Sequence, residues 1–257
     1  RLRHRSEIEP LPDLDMNIKV GNILVGCSTF ENAEETFSGN LLASASLESL
    51  RPKAKKLVDV YNKFVEVQRV STSGSKLQKA KANLVDLSNE IREELDELYA
   101  IETGIAKKDL DKWKASHIPF HWFVEFPEAL TAGGFDAVIG NPPYINKRKL
   151  AQYAFSGFDT DTCPDIFAPC MERAASMARP DGAFAMIVPI AFQFSDDYKL
   201  ARHVIAGLCP QRWVTSFSRR PSALFDAGVR PSIVLGLRSG QERLATGFTR
   251  RWQSEFR

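Results

Sequence analysis

Along the chain the spacing of apolar positions changes twice. Residues 17 to 20, NIKV, alternate polar and apolar and stop at Gly21-Asn22, the pattern of a short strand and its turn. From about Leu50 to Ser116 the composition shifts to Lys, Glu, Asp, Leu and Val, and Leu57, Val60, Phe64 and Val67 fall at helical spacing. After the turn-rich STSGS (71–75), Leu77, Leu84, Ile91 and Leu98 recur every seven residues, with Ala80 and Leu87 between them. This predicts two long helices folded back as an antiparallel hairpin. No catalytic set of residues stands out there, so the hairpin reads as an insertion with a structural or partner-binding role.

Beyond the hairpin the pattern alternates between strand and helix. Phe135 to Ile139 predicts a buried strand, Asp165 to Met177 an amphipathic helix, and RPDG (179–182) a turn into the strand AFAMIVP (183–189). Tyr198 to Leu208 predicts a second helix, Trp213 to Phe217 another strand, and SIVLGL (232–237) the last. No helix separates the final two strands, so they are expected to pair antiparallel. The fold class is α/β: a parallel sheet covered on both faces, with an antiparallel strand at its edge. Ligands in such folds lie at the carboxyl ends of strands, where Asn141 and Asn22 both fall.

Composition narrows the picture only a little. The 257 residues are 44% hydrophobic, enough for a real core, and the net charge of +2 does not by itself call for nucleic acid. Its distribution is more telling: residues 211–257 hold nine arginines, no lysine and three acids, and the chain opens with RLRHR. Such a basic edge is either solvated or faces phosphate. Cys27, Cys163, Cys170 and Cys209 are far apart, with no C-x-x-C pair. This argues against a zinc site or a disulfide framework and fits reduced thiols in the cytoplasm. No apolar run reaches the length of a membrane span, so no membrane partner is expected.

The stretch that carries chemistry is FDAVIGNPPYINK (135–147). Two adjacent prolines have no N–H for a sheet ladder, so the strand must end at Asn141-Pro142-Pro143-Tyr144. An ordinary turn could use the same residues. The turn also suits the methylation of an exocyclic amine, whose nitrogen lone pair is delocalised into its ring. Two acceptors on its two N–H bonds, the Asn141 side-chain oxygen and the Pro142 carbonyl, would localise that pair. The prolines would hold both acceptors still, and the Tyr144 ring would stack on the base. Neither a metal nor an unusual general base is required.

GFDAVIGNPPYI resembles motif IV of the amino-methyltransferases that use S-adenosyl-L-methionine. IPFHWFVEFPEAL (118–130) resembles the approach to that motif in large adenine-specific DNA methyltransferases, including fused type IIG restriction-modification enzymes and phage-defence methylases. DIFAPCMERAASMARPDGAFAMIVP (165–189) is similar to the helix and strand that follow, NIKVGNILVG (17–26) to motif III, and ALFDAGVRPSIVLGL (223–237) to motif VIII. The resemblance implies a partial Rossmann-like methyltransferase sheet with the helical hairpin inserted between motifs III and IV. It divides the chain into 1–45 and 116–240 of the core, the insertion 46–115, and 241–257 as the start of a further region.

Carried over by position, Asn141 and the Pro142 carbonyl accept from the N6 amine of an adenine flipped out of double-stranded DNA. Pro143 holds the turn, and Tyr144 and Phe225 enclose the base from its two sides. Asn22 occupies the position whose side chain meets the adenine of the cofactor, and Ile23 packs beside it. The family's glycine-rich motif I has no counterpart before Asn22, so the expectation is a central piece of a longer enzyme. A nuclease or specificity region would lie in the same chain or a partner chain. Two other readings stand beside this one. The first is a protein-glutamine or rRNA-guanine methyltransferase, since those families use the same tetrapeptide. The second is an inactive methyltransferase-fold module for DNA binding or assembly.

Overall fold

A computed structural model describes residues 14–70, 74–150, 155, 157–218 and 228–251. The chain divides into two compact units, Arg1–Thr131 and Ala132–Arg257.

The first unit is helical. It contains α1 (Leu14–Asn17), α2 (Phe30–Phe37), α3 (Leu41–Val70), α4 (Gly74–Glu102), α5 (Leu110–His117), α6 (Trp122–Glu125) and α7 (Pro127–Thr131). Helices α3 and α4 form the expected hairpin, with Leu57 and Phe64 buried on one and Leu84, Leu87 and Ile91 on the other. Lys53 in the first half of α3 reaches Glu90 and Glu94 in the second half of α4, as an antiparallel pair requires. Helix α3 begins nine residues before the expected Leu50 and runs through Pro52. The Asn40 side chain accepts from the Leu42 and Ala43 amides, and this cap starts the helix earlier than the heptads indicate. The NIKV strand is not formed. Asn17 ends α1, Ile18 and Val20 are exposed, and the local pairing is a single bridge between Asn22 and Pro119.

The second unit carries the sheet: β1 (Phe135–Gly140), α8 (Phe167–Met177), β2 (Ala178–Pro189), α9 (Ala191–Phe194), α10 (Lys199–Leu208), β3 (Gln211–Ser216), β4 (Pro231–Leu237) and β5 (Arg243–Thr246). The strand order is β1-β2-β4-β3-β5. Strands β1 and β2 are parallel, as are β3 and β5, whereas β4 is antiparallel to both β2 and β3. The final pair is therefore antiparallel as expected, but the reversed strand lies inside the sheet and not at its edge. The chain returns from β3 to take the place beside β2. RPDG is not a separate turn: it lies within β2, where the ladder with β1 shifts register between Phe135 and Ala137. The short strand RLAT (β5) had no apolar pattern to announce it.

Alternation gives the sheet two unlike faces. Phe184, Met186 and Val188 of β2 and Val234 of β4 face α8 and α10, packing with Phe167, Met171 and Ile205 in one buried cluster. Gly236 stands directly opposite Phe184 in the ladder. A Cβ there would lie 2.3 Å from the Phe184 ring and 2.8 Å from the Cys209 Cβ, so only glycine admits that ring. The other face, with Ile139, Ala185 and Leu235, is open: Ile139 is 80% exposed. The apolar FDAVIG run predicts a buried strand, yet β1 pairs on one side only, with β2, and no described helix covers its outer face.

Three measurements check this packing. Gly236→Ala should destabilise the protein by about 1–3 kcal/mol through overpacking. Gly207→Ala, in α10 with open space around it, should be neutral or stabilise by about 0.4–1 kcal/mol; denaturant unfolding of both variants reads the contrast. All four cysteines are buried thiols outside any disulfide, and burial pushes the Cys209 thiol up to about 11 and the Cys170 thiol up to about 12. Iodoacetamide at pH 8 should therefore label native protein far more slowly than denatured protein. Because the folded thiols hold their protons more tightly than unfolded ones, stability should fall as pH rises above 9 towards those values.

Candidate functional site

The turn after β1 is built outward from the sheet. Gly140 ends the strand, Asn141 is exposed, Pro142 is buried and Pro143 is exposed. The prolines leave the ladder, and a side chain restores the anchorage. The Tyr144 hydroxyl lies 2.9 Å from the Ile187 carbonyl on β2 and 3.1 Å from the Asn141 side-chain oxygen. Its ring meets Phe167 edge-on, with centroids 6.5 Å apart at 83°. Burial raises the Tyr144 hydroxyl above its ordinary value, so it stays a protonated donor at neutral pH. A phenol has one proton to give, and here it faces both oxygens. That contact leaves the Asn141 oxygen a second lone pair, and the Pro142 carbonyl accepts no bond from the described residues. Two acceptors, the Asn141 side-chain oxygen and the Pro142 carbonyl, thus stand at the end of a strand.

The chain beyond is fastened as well. The Ile166 amide donates to the Ile145 carbonyl at 3.0 Å, and the Lys147 amide to the Pro164 carbonyl at 2.8 Å. Lys147 Nζ donates to the Asp161 carbonyl at 2.8 Å, and the Glu172 carboxylate accepts from the Thr160 amide at 2.9 Å and its hydroxyl at 2.8 Å. Behind Tyr144, Phe167 packs on Tyr198, with centroids 4.8 Å apart, and the Tyr198 hydroxyl donates to Asp165. Phe225, the expected second wall for a base, lies outside the described residues.

In the first unit, Asn22 and Ile23 are half-buried in a loop lying along residues 118–122. The Asn22 amide donates to the Ile118 carbonyl at 2.8 Å, and its side-chain oxygen accepts from the Leu24 amide at 3.1 Å. The oxygen is thus occupied within the loop, and the side-chain NH2 remains a donor. Spacing along the chain did not reveal the polar cluster behind this loop. His121 is fully buried: its Nδ1 accepts from the Cys27 amide at 3.2 Å and its Nε2 lies 3.1 Å from the Asp96 carboxylate. Only the tautomer protonated on Nε2 satisfies both. The signal was present as two i, i+4 pairs, Arg92/Asp96 and His121/Glu125, but nothing in one sequence says that they meet. Among the described residues, no group of three or more His, Cys, Asp or Glu is placed to hold a metal ion, and no helix is long and apolar enough to cross a membrane.

The sequence profile of the Eco57I restriction-modification methylase family matches residues 53–218, more than half of the chain. A protein of Methanocaldococcus jannaschii named as a type II restriction enzyme and methyltransferase is 25% identical over an alignment of 246 positions, which covers 79% of this chain and 21% of that protein. The chain thus spans about a fifth of the length of this relative. Among solved structures, a Listeria monocytogenes protein described as a class I S-adenosylmethionine-dependent methyltransferase is 14% identical with a TM-score of 0.35, over 60% of this chain and 46% of that one. The EcoKI M protein of a type I restriction enzyme is 11% identical with a TM-score of 0.32, over 62% and 40%. Structural likenesses this loose do not assign a fold by themselves.

Proposed function

Because the chain belongs to the Eco57I restriction-modification methylase family, we propose that it forms the central part of an adenine-specific DNA methyltransferase, acting on the N6 amine of a base flipped out of the duplex. The Asn141–Tyr144 turn carries this reading. The Asn141 oxygen and the Pro142 carbonyl accept from the two N–H bonds of the amine and aim its lone pair. The prolines keep those acceptors from relaxing as charge develops on the nitrogen. Tyr144, tied to Ile187 by its hydroxyl, offers a ring of fixed orientation to the base. Phe225 is proposed as the opposite wall.

S-Adenosyl-L-methionine, when bound, supplies an electrophilic methyl group on a sulfonium sulfur. The Asn141 oxygen and the Pro142 carbonyl would keep the amine lone pair aimed at that methyl group, and the proton given up by the amine would pass to solvent. The Asn22 loop fits the adenine end of this cofactor. Its free NH2 matches a ring nitrogen, and half-buried Ile23 offers an apolar contact beside it. The relative's name joins restriction and methylation, and a nuclease or specificity region in the same or a partner chain belongs to this proposal.

The test is the N6-methyladenine content of host DNA with the intact gene, without it and with point variants. Asn141→Ala in the full-length protein should lower methylation by about 100-fold or more while leaving the melting temperature near that of the parent, whereas Tyr144→Ala should lower methylation as far and also lower the melting temperature, because its ring packs on Phe167 and its hydroxyl anchors the turn. Tyr144→Phe keeps the ring and loses only the hydroxyl anchor, so it should retain more activity than Tyr144→Ala. Unchanged methylation in the Asn141→Ala strain would overturn the mechanism.

A further inference from the structure

The loop that carries Asn22 is held on both of its flanks by one helix of the hairpin, acting through a short intermediate segment. On the N-terminal flank, Lys19 Nζ lies 3.4 Å from Glu125 at the end of α6. The same carboxylate takes a forked contact from Arg92 of α4, at 2.9 Å from Nε and 2.5 Å from Nη2. On the C-terminal flank, the Cys27 amide donates to His121, whose other nitrogen reaches Asp96 of α4. Arg92 and Asp96 are one helical turn apart on α4, and His121 and Glu125 one turn apart across α6, so the two helices meet as matched pairs. Between the flanks, the Phe120 amide donates to the Val25 carbonyl at 2.7 Å and the Trp122 amide to the Cys27 carbonyl at 2.9 Å. Gly26, at φ +115°, lets this contact close, since a Cβ there would lie 2.6 Å from the Phe120 carbonyl oxygen.

We infer that α4 is a positioning element for the cofactor loop, with Arg92 holding the Lys19 side chain through Glu125 and Asp96 holding the Cys27 amide through His121, one on either side of Asn22. This rests on the reading of Asn22 as a contact to the cofactor. It gives the hairpin, otherwise without a task, a place in the reaction: it sets where the Asn22 NH2 points. Polar contacts suit such a task because they are directional. A backbone N–H held by a ring nitrogen cannot slide as an apolar contact can, and a buried carboxylate holds the ring only in the orientation that keeps it bonded.

The full-length protein tests this with four variants: Asp96→Asn, Asp96→Leu, Asn22→Ala, and the double Asn22→Ala/Asp96→Leu. Asp96→Asn keeps an oxygen acceptor for the His121 proton and should behave like the parent. Asp96→Leu should raise the KM for S-adenosyl-L-methionine by about tenfold, as expected for loss of one charge-assisted hydrogen bond, with kcat within about twofold. The Cys27 amide should exchange faster with solvent deuterium in that variant. Asn22→Ala should raise the same KM, and the double variant should be no worse than Asn22→Ala, because both changes act at one contact. Arg92→Gln, at a partly exposed position on the other flank, supplies the same measurement should Asp96→Leu fail to fold. A raised KM in Asn22→Ala with an unchanged KM in Asp96→Leu and Arg92→Gln would overturn the positioning role alone. An unchanged KM in Asn22→Ala would sink the reading of Asn22, and the positioning role with it.

Discussion

The second unit is organised around a loss of hydrogen-bond donors. Pro142 and Pro143 remove two backbone N–H groups in succession, so the chain leaves the sheet at Asn141 whatever its neighbours do. A turn without a ladder would ordinarily be loose. Here the Tyr144 hydroxyl returns to the Ile187 carbonyl two residues before β2 ends, replacing backbone anchorage with a side-chain bond. Phe167 sits against that ring and Tyr198 against Phe167, so α8 and the segment ahead of α10 both brace the turn. The strand order serves the same end: β2, which receives the anchor, lies between β1 and β4 and is held on both sides.

The first unit meets a comparable demand with different means. Its loop from Lys19 to Cys27 has one isolated bridge in place of a sheet, and it is positioned by carbonyls, a ring nitrogen and a carboxylate shared with α6. Burying Asp96 is costly unless its oxygens are used. His121 at 3.1 Å and Lys114 at 3.7 Å supply the partners, which makes removal of either side more damaging than the net worth of the pair.

Much of this architecture is legible in the residues themselves. Heptads from Leu77 to Leu98 give the hairpin, and the alternation of 165–189 gives α8 and β2. The NPPY turn is legible as the end of β1, because two adjacent prolines cannot join a ladder. What escaped has physical reasons too. A continuous apolar run such as FDAVIG looks the same in a central strand as in one paired on a single side, so the exposure of Ile139 could not be foreseen. Strand sequence says nothing about which neighbour a strand chooses, so β4 was expected at an edge. NIKV has strand-like alternation but no ladder to join among the described residues. The Asp96–His121 contact joins residues 25 apart through a helix-turn path, and spacing alone carries no trace of it.

The two turns also share a feature that bears on the proposed transfer reaction. An acceptor or donor that must meet a ligand within a fraction of an ångström is useful only when its own backbone is fixed, and loops supply that least readily. In both places the residue proposed to meet a ligand is an asparagine whose side-chain oxygen lies against a donor within the protein: the Tyr144 hydroxyl, which shares its one proton with the Ile187 carbonyl, for Asn141, and the Leu24 amide for Asn22. An amide can serve two partners at once because it carries two lone pairs and two N–H bonds, whereas a hydroxyl has one proton to place. One partner fixes which way the amide faces, and the other valence then points outward in a defined direction. At Asn141 the outward group is a lone pair, which suits an amine. At Asn22 it is an NH2, which suits a ring nitrogen. The same side chain acquires opposite polarity at the two positions because the protein occupies a different part of it each time.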